Sequence, residues 1–244
     1  ALAAVVQAVE ASASPQLRHR ASLGGNLIQR PRCWYFRNRH VPCWRKGGQR
    51  CFAFRGENKY HTILGRGPCY AVHPSDPAVA LLALDASVIL VGPEGQRSIP
   101  LAEFYREPAP DVQHANGYHP VTVLEPDELI TEVVIPIHAE GTESTYAKMM
   151  ERGDWDFALV SVAVSIRQVD GVVKEARVAL GGVATIPWLS PDAAEALVGR
   201  SLIKEVVADA AQAALADIRP LEHNEYKVDL LKGAVKQALR SLRS

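Results

Sequence analysis

Four cysteines, Cys33, Cys43, Cys51 and Cys69, are the only thiols in the chain, and they lie in one stretch with the spacing C-x9-C-x7-C-x17-C. Thiolates bind soft metals, pair as disulfides, or lie buried as small apolar groups. Disulfides suit oxidising compartments and cores too small to hold themselves, and a chain of 244 residues that is 48% hydrophobic has little need of them. Structural zinc usually takes cysteines as close C-x2-4-C pairs, and none occurs here. An iron-sulfur cluster tolerates wider spacing, because each iron corner takes one thiolate. Four unconnected buried thiols remain a further reading.

The surrounding composition narrows this. Lys+Arg and Asp+Glu balance at 27 each, yet from Arg30 to Arg66 ten basic residues accompany a single acid, Glu57. A cluster carrying four thiolates is net negative, and these cations, with the N–H groups of Gly47-Gly48, would offset that charge and tune its potential. The same segment interleaves its arginines with Trp34, Tyr35, Phe36, Trp44, Phe52 and Phe54. A zinc- or cluster-stabilised nucleic-acid-binding module would use such a mixture for base stacking and phosphate contacts. The segment alone leaves both readings open.

Two short motifs flank it. Gly24-Gly25-Asn26 permits close backbone approach, so its N–H groups could line an anion site, or it could form an ordinary turn. In Ser75-Asp76-Pro77, Asp76 reads as an N-cap before Pro77 at the first helical position. That leaves Ser75 and the helix amino end facing outward, an arrangement suited to phosphate.

The elements that must position these residues follow from periodicity. Small apolar residues predict a helix over 2–13, and Ser14-Pro15 starts a new element. Periodicity disappears from Pro31 to Pro68. It resumes with a helix from Asp76, strands at 86–91, 97–101 and 128–136, and a linker at 138–143. Strands at 145–150, 158–167 and 172–180 follow, the last two turning at Asp170-Gly171. Helical spacing over 193–218 and 226–242 completes an α+β C-terminal domain, a sheet with helices on one face. No apolar run approaches the ~18–20 residues of a membrane helix. Ala1–Val6 lacks an initiator methionine and reads as the inside of a helix, so the chain is expected to begin partway through a longer polypeptide.

Taken together, the flanks carry a resemblance. Ala13 to Leu27, containing Ala-Ser-Pro-Gln and Gly-Gly-Asn-Leu, closely resembles the FAD-binding (medium) subunits of the molybdenum hydroxylases, the xanthine dehydrogenase and aldehyde oxidoreductase family. Ser75-Asp76 with Leu84-Asp85-Ala86, Ile99 to Phe104, and Asp127 to Ile130 with Ile135-Pro136 resemble later motifs of that family in the same order. The cysteine segment resembles an insert found in a subset, the flavin subunits of 4-hydroxybenzoyl-CoA reductase and of periplasmic aldehyde oxidoreductases, where it carries a 4Fe-4S cluster.

The resemblance implies an α+β chain. Residues 1–138 would be the second lobe of a PCMH-type (vanillyl-alcohol-oxidase-like) FAD-binding domain with the cysteine loop inserted at about 30–73, and residues 144–244 a small C-terminal domain of antiparallel sheet plus helices. It implies FAD at Gly24, Gly25 and Asn26, with Ser75 and Asp76 near the same moiety. Leu129 and Ile130 would pack on the isoalloxazine, and Lys148 would reach the ring. Cys33, Cys43, Cys51 and Cys69 would ligate the cluster. The family's upstream glycine-rich phosphate loop has no counterpart before Ser14, so the chain would hold about half of the flavin site. The implied function is electron transfer beside a large molybdopterin-binding subunit and a small 2Fe-2S subunit, with no nucleic acid and no membrane. The expected location is the cytoplasm, or the periplasm if a partner carries the leader.

Overall fold

The computed structural model describes residues 1–65, 67–113, 117–153 and 155–243. Arg66, the last of the basic residues counted above, lies outside that set.

The N-terminal half opens with α1 (Ala3–Glu10), which buries Ala4 and Ala8, one turn apart, and exposes Val6. Two short helices follow, α2 (Pro15–Arg18) and α3 (Leu23–Leu27), each capped by a serine hydroxyl one residue before it, Ser14 and Ser22. From 28 to 75 the chain is largely irregular, as its lost periodicity predicts. Its regular parts are α4 (Trp34–Arg37) and single 3-10 turns at 44–46 and 52–55. Next comes α5 (Asp76–Ala83), apolar all round and buried along its whole length. Strands β1 (Ser87–Gly92) and β2 (Gly95–Pro100), then α6 (Leu101–Phe104) and β3 (Leu129–Val134), complete this half. They form an antiparallel sheet in the order β2-β1-β3.

The C-terminal half is a second antiparallel sheet in the order β4 (Thr142–Met149), β5 (Val160–Val169), β6 (Val172–Gly181), β7 (Trp188–Leu189). The β5–β6 hairpin turns on Asp170 and Gly171 at φ 52° and 73°, the paired left-handed residues of a type I′ turn. Helices α7 (Pro191–Glu195), α8 (Lys204–Ala213) and α9 (Tyr226–Ser241) follow. The helical spacing over 193–218 resolves into two helices rather than one. Gly199 takes φ 79° between them, while Val173 and Gly199–Arg200 exchange backbone hydrogen bonds that tie the break to β6.

The sheet β4–β7 is covered on both faces, not one. Val160, Val162, Val164 and Ile166 pack under α8 and α9. Ala163, Ala179 and Tyr146 pack against α1 and α5 from the N-terminal half. That is why β5 is buried at seven successive positions instead of alternating. Small residues let α5 approach closely: a Cβ on Gly181 would sit 2.5 Å from Val79 Cγ2. The cysteine segment is stitched in as well. Ile63 and Leu64, each 1% exposed, enter the core beneath α8 and α9, and their amides donate to Val183 O at 2.9 Å.

Candidate functional site

The two flanking motifs meet. Ser75, not Asp76, caps α5: its hydroxyl accepts from Ala78 N at 3.2 Å and donates to Asn26 Oδ1 at 2.6 Å. The cap lies one residue earlier than the sequence suggests because the Asp76 carboxylate turns inward. Asp76 Oδ1 accepts from Tyr146 at 2.7 Å and Oδ2 from Lys148 Nζ at 2.8 Å, with Ser12 Oγ at 3.1 Å. Lys148 also donates to Ala11 O at 2.9 Å. The pair is 3% and 7% exposed at its side chains, so it is a desolvated ion pair satisfied by further hydrogen bonds. Lys148 does not border the two clefts described next.

Gly24 and Gly25 sit in α3, where Gly25 N donates to Ser22 Oγ at 3.1 Å. Gly24 faces β3: a Cβ there would lie 3.4 Å from Ile130 Cβ, an ordinary contact distance. Leu129, 67% exposed, and half-buried Ile130 form an apolar wall with Ile28 along one cleft beside the glycines. Gly25, Asn26 and Asp76 border a second cleft with Arg152, Trp155 and Phe157.

The four cysteines line one small cavity together with Trp44 and Arg45. All are free thiols; Cys43 and Cys69 are buried and the others half-buried. Local structure aims them, since Cys33, Cys43 and Cys51 are each the N-cap of a short helical turn. The orphan amides of those turns, Tyr35 and Phe36, Arg45 and Lys46, Ala53 and Phe54, favour the thiolate form. Burial outweighs them, pushing Cys33 up to about 12 and raising Cys43 and Cys51. Burial therefore favours the neutral thiol at these three positions. Among the described residues no three His, Cys, Asp or Glu side chains converge to hold a single metal ion. The cavity brings together all four sulfurs that the resemblance implies as ligands.

Two contacts to the sulfurs were not visible in the sequence. Arg45 Nε donates to Cys69 Sγ at 3.3 Å, and His61 Nε2 lies 3.2 Å from Cys33 Sγ. Cys33 also borders a cleft of about 470 Å³ shared with Trp34, His61, Ser75, Asp76 and Asp156. Three buried polar atoms of that cleft lack a hydrogen-bond partner among the described residues: His61 Nδ1, His73 Nε2 and Ser161 Oγ. Burial holds both imidazoles far below their ordinary value, His61 at about 4 with help from Lys227 and His73 at about 3, so both are neutral at pH 7.

The nucleic-acid reading has no support. The aromatic rings of the segment pair within the fold: Trp34 with Tyr60, Tyr35 with Phe52, Trp44 with His119 and Phe54 with Tyr70.

Comparisons with known proteins agree with the flavin reading. Residues 1–138 match the family described as FAD binding domain in molybdopterin dehydrogenase, and residues 144–242 the CO dehydrogenase flavoprotein C-terminal domain. The chain is 40% identical over 245 residues to the aldehyde oxidoreductase FAD-binding subunit PaoB of Escherichia coli, covering 99% of this chain and 72% of that one. It is 32% identical over 175 residues to the carbon monoxide dehydrogenase medium chain of Hydrogenophaga pseudoflava, covering 69% of this chain and 56% of that one. A solved carbon monoxide dehydrogenase from the same organism superposes with a TM-score of 0.67 at 26% identity, over 96% of this chain and 66% of that one. Among the described residues no helix is long and apolar enough to cross a membrane. The chain belongs to the FAD-binding subunits of the molybdenum hydroxylase family, oxidoreductase components of molybdopterin-dependent dehydrogenases.

Proposed function

We propose that the chain relays electrons between FAD and a 4Fe-4S cluster within a molybdenum hydroxylase complex, beside a large molybdopterin-binding subunit and a small 2Fe-2S subunit. One observation carries this reading: Cys33 lines both the four-cysteine cavity and the cleft that contains Ser75 and Asp76. When bound, FAD supplies a carrier that exchanges electrons singly or in pairs, and the cluster one that exchanges them singly.

The residues of this chain bind and orient these groups. Gly24, Gly25 and Asn26, locked to Ser75 across the root of the cysteine segment, form a surface for the phosphate side of FAD. Leu129 and Ile130 offer an apolar face to its ring. Asp76 and Lys148 buttress that surface from behind. Cys33, Cys43, Cys51 and Cys69 hold the cluster.

The test is cofactor content of the chain purified with its partner subunits. The expected result is FAD plus about four irons per chain beyond those of the 2Fe-2S subunit. Cys43→Ala should lose those irons while keeping FAD. A complex with no flavin, or with no additional iron, would reject the proposal.

A further inference from the structure

Arg45 is 2% exposed, yet it takes part in none of the ion pairs among the described residues. Its Nη1 donates to the carbonyls of His119 and Pro120 at 3.4 and 3.1 Å, its Nε donates to Cys69 Sγ, and its Nη2 is buried without a hydrogen-bond partner among the described residues. A guanidinium cannot shed its proton at physiological pH, and burying it without an anion is strongly unfavourable. The nearest group able to carry negative charge is the sulfur it already touches. With four cysteines around the adjoining cavity, the fold provides a cation in advance of the anion it matches.

We infer that Arg45 is the buried counter-charge of the metal site and sets its reduction potential through Cys69. This rests on the cluster reading above. Arg45 is a positioning residue: it touches a ligand sulfur, not the metal. Each electron added to a thiolate-ligated cluster deepens its negative charge. A fixed cation donating a hydrogen bond to a ligand sulfur stabilises the reduced form and raises the potential. Arg45 also joins residues 43–46 to 119–120, where His119 N donates to Arg45 O at 3.1 Å and the His119 ring stacks on Trp44 at 3.7 Å. A purely structural role would therefore appear as lost stability with an unchanged potential.

The experiment is a reductive titration of the intact complex with dithionite as electron donor, followed by electron paramagnetic resonance, with iron content measured in parallel. Arg45→Gln should retain iron and lower the equilibrium constant for one-electron reduction at least tenfold, about 59 mV. Arg45→Lys, which keeps the charge but loses the fork, should fall between Arg45→Gln and the unaltered protein. Should Arg45→Gln lose the cluster, the nitrogen-15 measurement below decides. A fully loaded glutamine variant with an unshifted potential overturns the inference. A measurement on the unaltered protein stands apart from both variants: incorporation of arginine labelled with nitrogen-15 in the guanidino group should give a nitrogen coupling to the reduced cluster, and its absence overturns the inference. Absence of iron in the unaltered protein sinks the cluster reading itself, a distinct result.

Discussion

Lys227 is fully buried, and its Nζ donates to the carbonyls of His61 and Gly182 at 3.0 and 2.6 Å, with no carboxylate partner among the described residues. Burial lowers it to about 7 from an ordinary 10.5. Between those values the unfolded chain binds a proton that the folded chain has released, so stability rises with pH across that window. The limit is about 1.4 kcal/mol per pH unit. Below pH 7 both states hold the proton, and the cost of burying the charge is felt in full. Urea unfolding at pH 7.5 and pH 9.5 should show this gain in the unaltered protein and not in Lys227→Met; parallel gains in both would refute it. The facing His61 ring stays neutral throughout, since it titrates near 4. None of this was legible in the sequence. Cysteine spacing and the Ser75-Asp76-Pro77 motif are local signals, whereas the partners of Lys227, Arg45 and Lys148 lie 166, 24 and 72 residues away.

At the scale of elements, α5 joins local and distant information. Its start is readable from Ser75 to Pro77, and its role as a fully buried helix from an apolar run without a polar face. Ser75→Ala removes the cap to Ala78 and the bond to Asn26 together. The expected cost is about 1–2 kcal/mol in denaturant unfolding, accompanied by weaker retention of FAD on gel filtration. Unchanged FAD retention would separate the cap from the flavin surface. The type I′ hairpin at Asp170-Gly171 and the long helix α9 were legible because turn chemistry and a sustained period are encoded in adjacent residues. The break at Gly199 was not, because strand β6 of the C-terminal sheet creates it. Nor was the second covering of that sheet, since a strand buried on both faces resembles any other apolar run.

At the scale of the molecule, the two halves share a core through α1, α5 and the C-terminal sheet, and the cysteine segment adds Ile63 and Leu64 to the core under α8 and α9. An inserted loop can stand clear of the core that carries it. Instead Asn224 donates to the carbonyls of His61 and Thr62, Arg219 N donates to Ile63 O, and Leu64 fills space under α8 and α9. Leu64→Ala should cost about 2–5 kcal/mol and speed hydrogen exchange at the Ile63 amide. A cost below about 1 kcal/mol would mark the segment as an appendage that the C-terminal core does not need.

The hydrogen bond between Asn26 and Ser75 bears on how such a chain could change its length. It closes the excursion between them into a loop with adjacent ends. Closing a flexible loop of twice the length adds only about 0.6 kcal/mol. A lineage could therefore splice a module in at this seam, or excise one, without moving the helices on either side. A newly acquired module would have to arrive with its own stopper for the groove that Ile63 and Leu64 occupy. This places the burden of such a transplant on two aliphatic side chains as much as on four sulfurs.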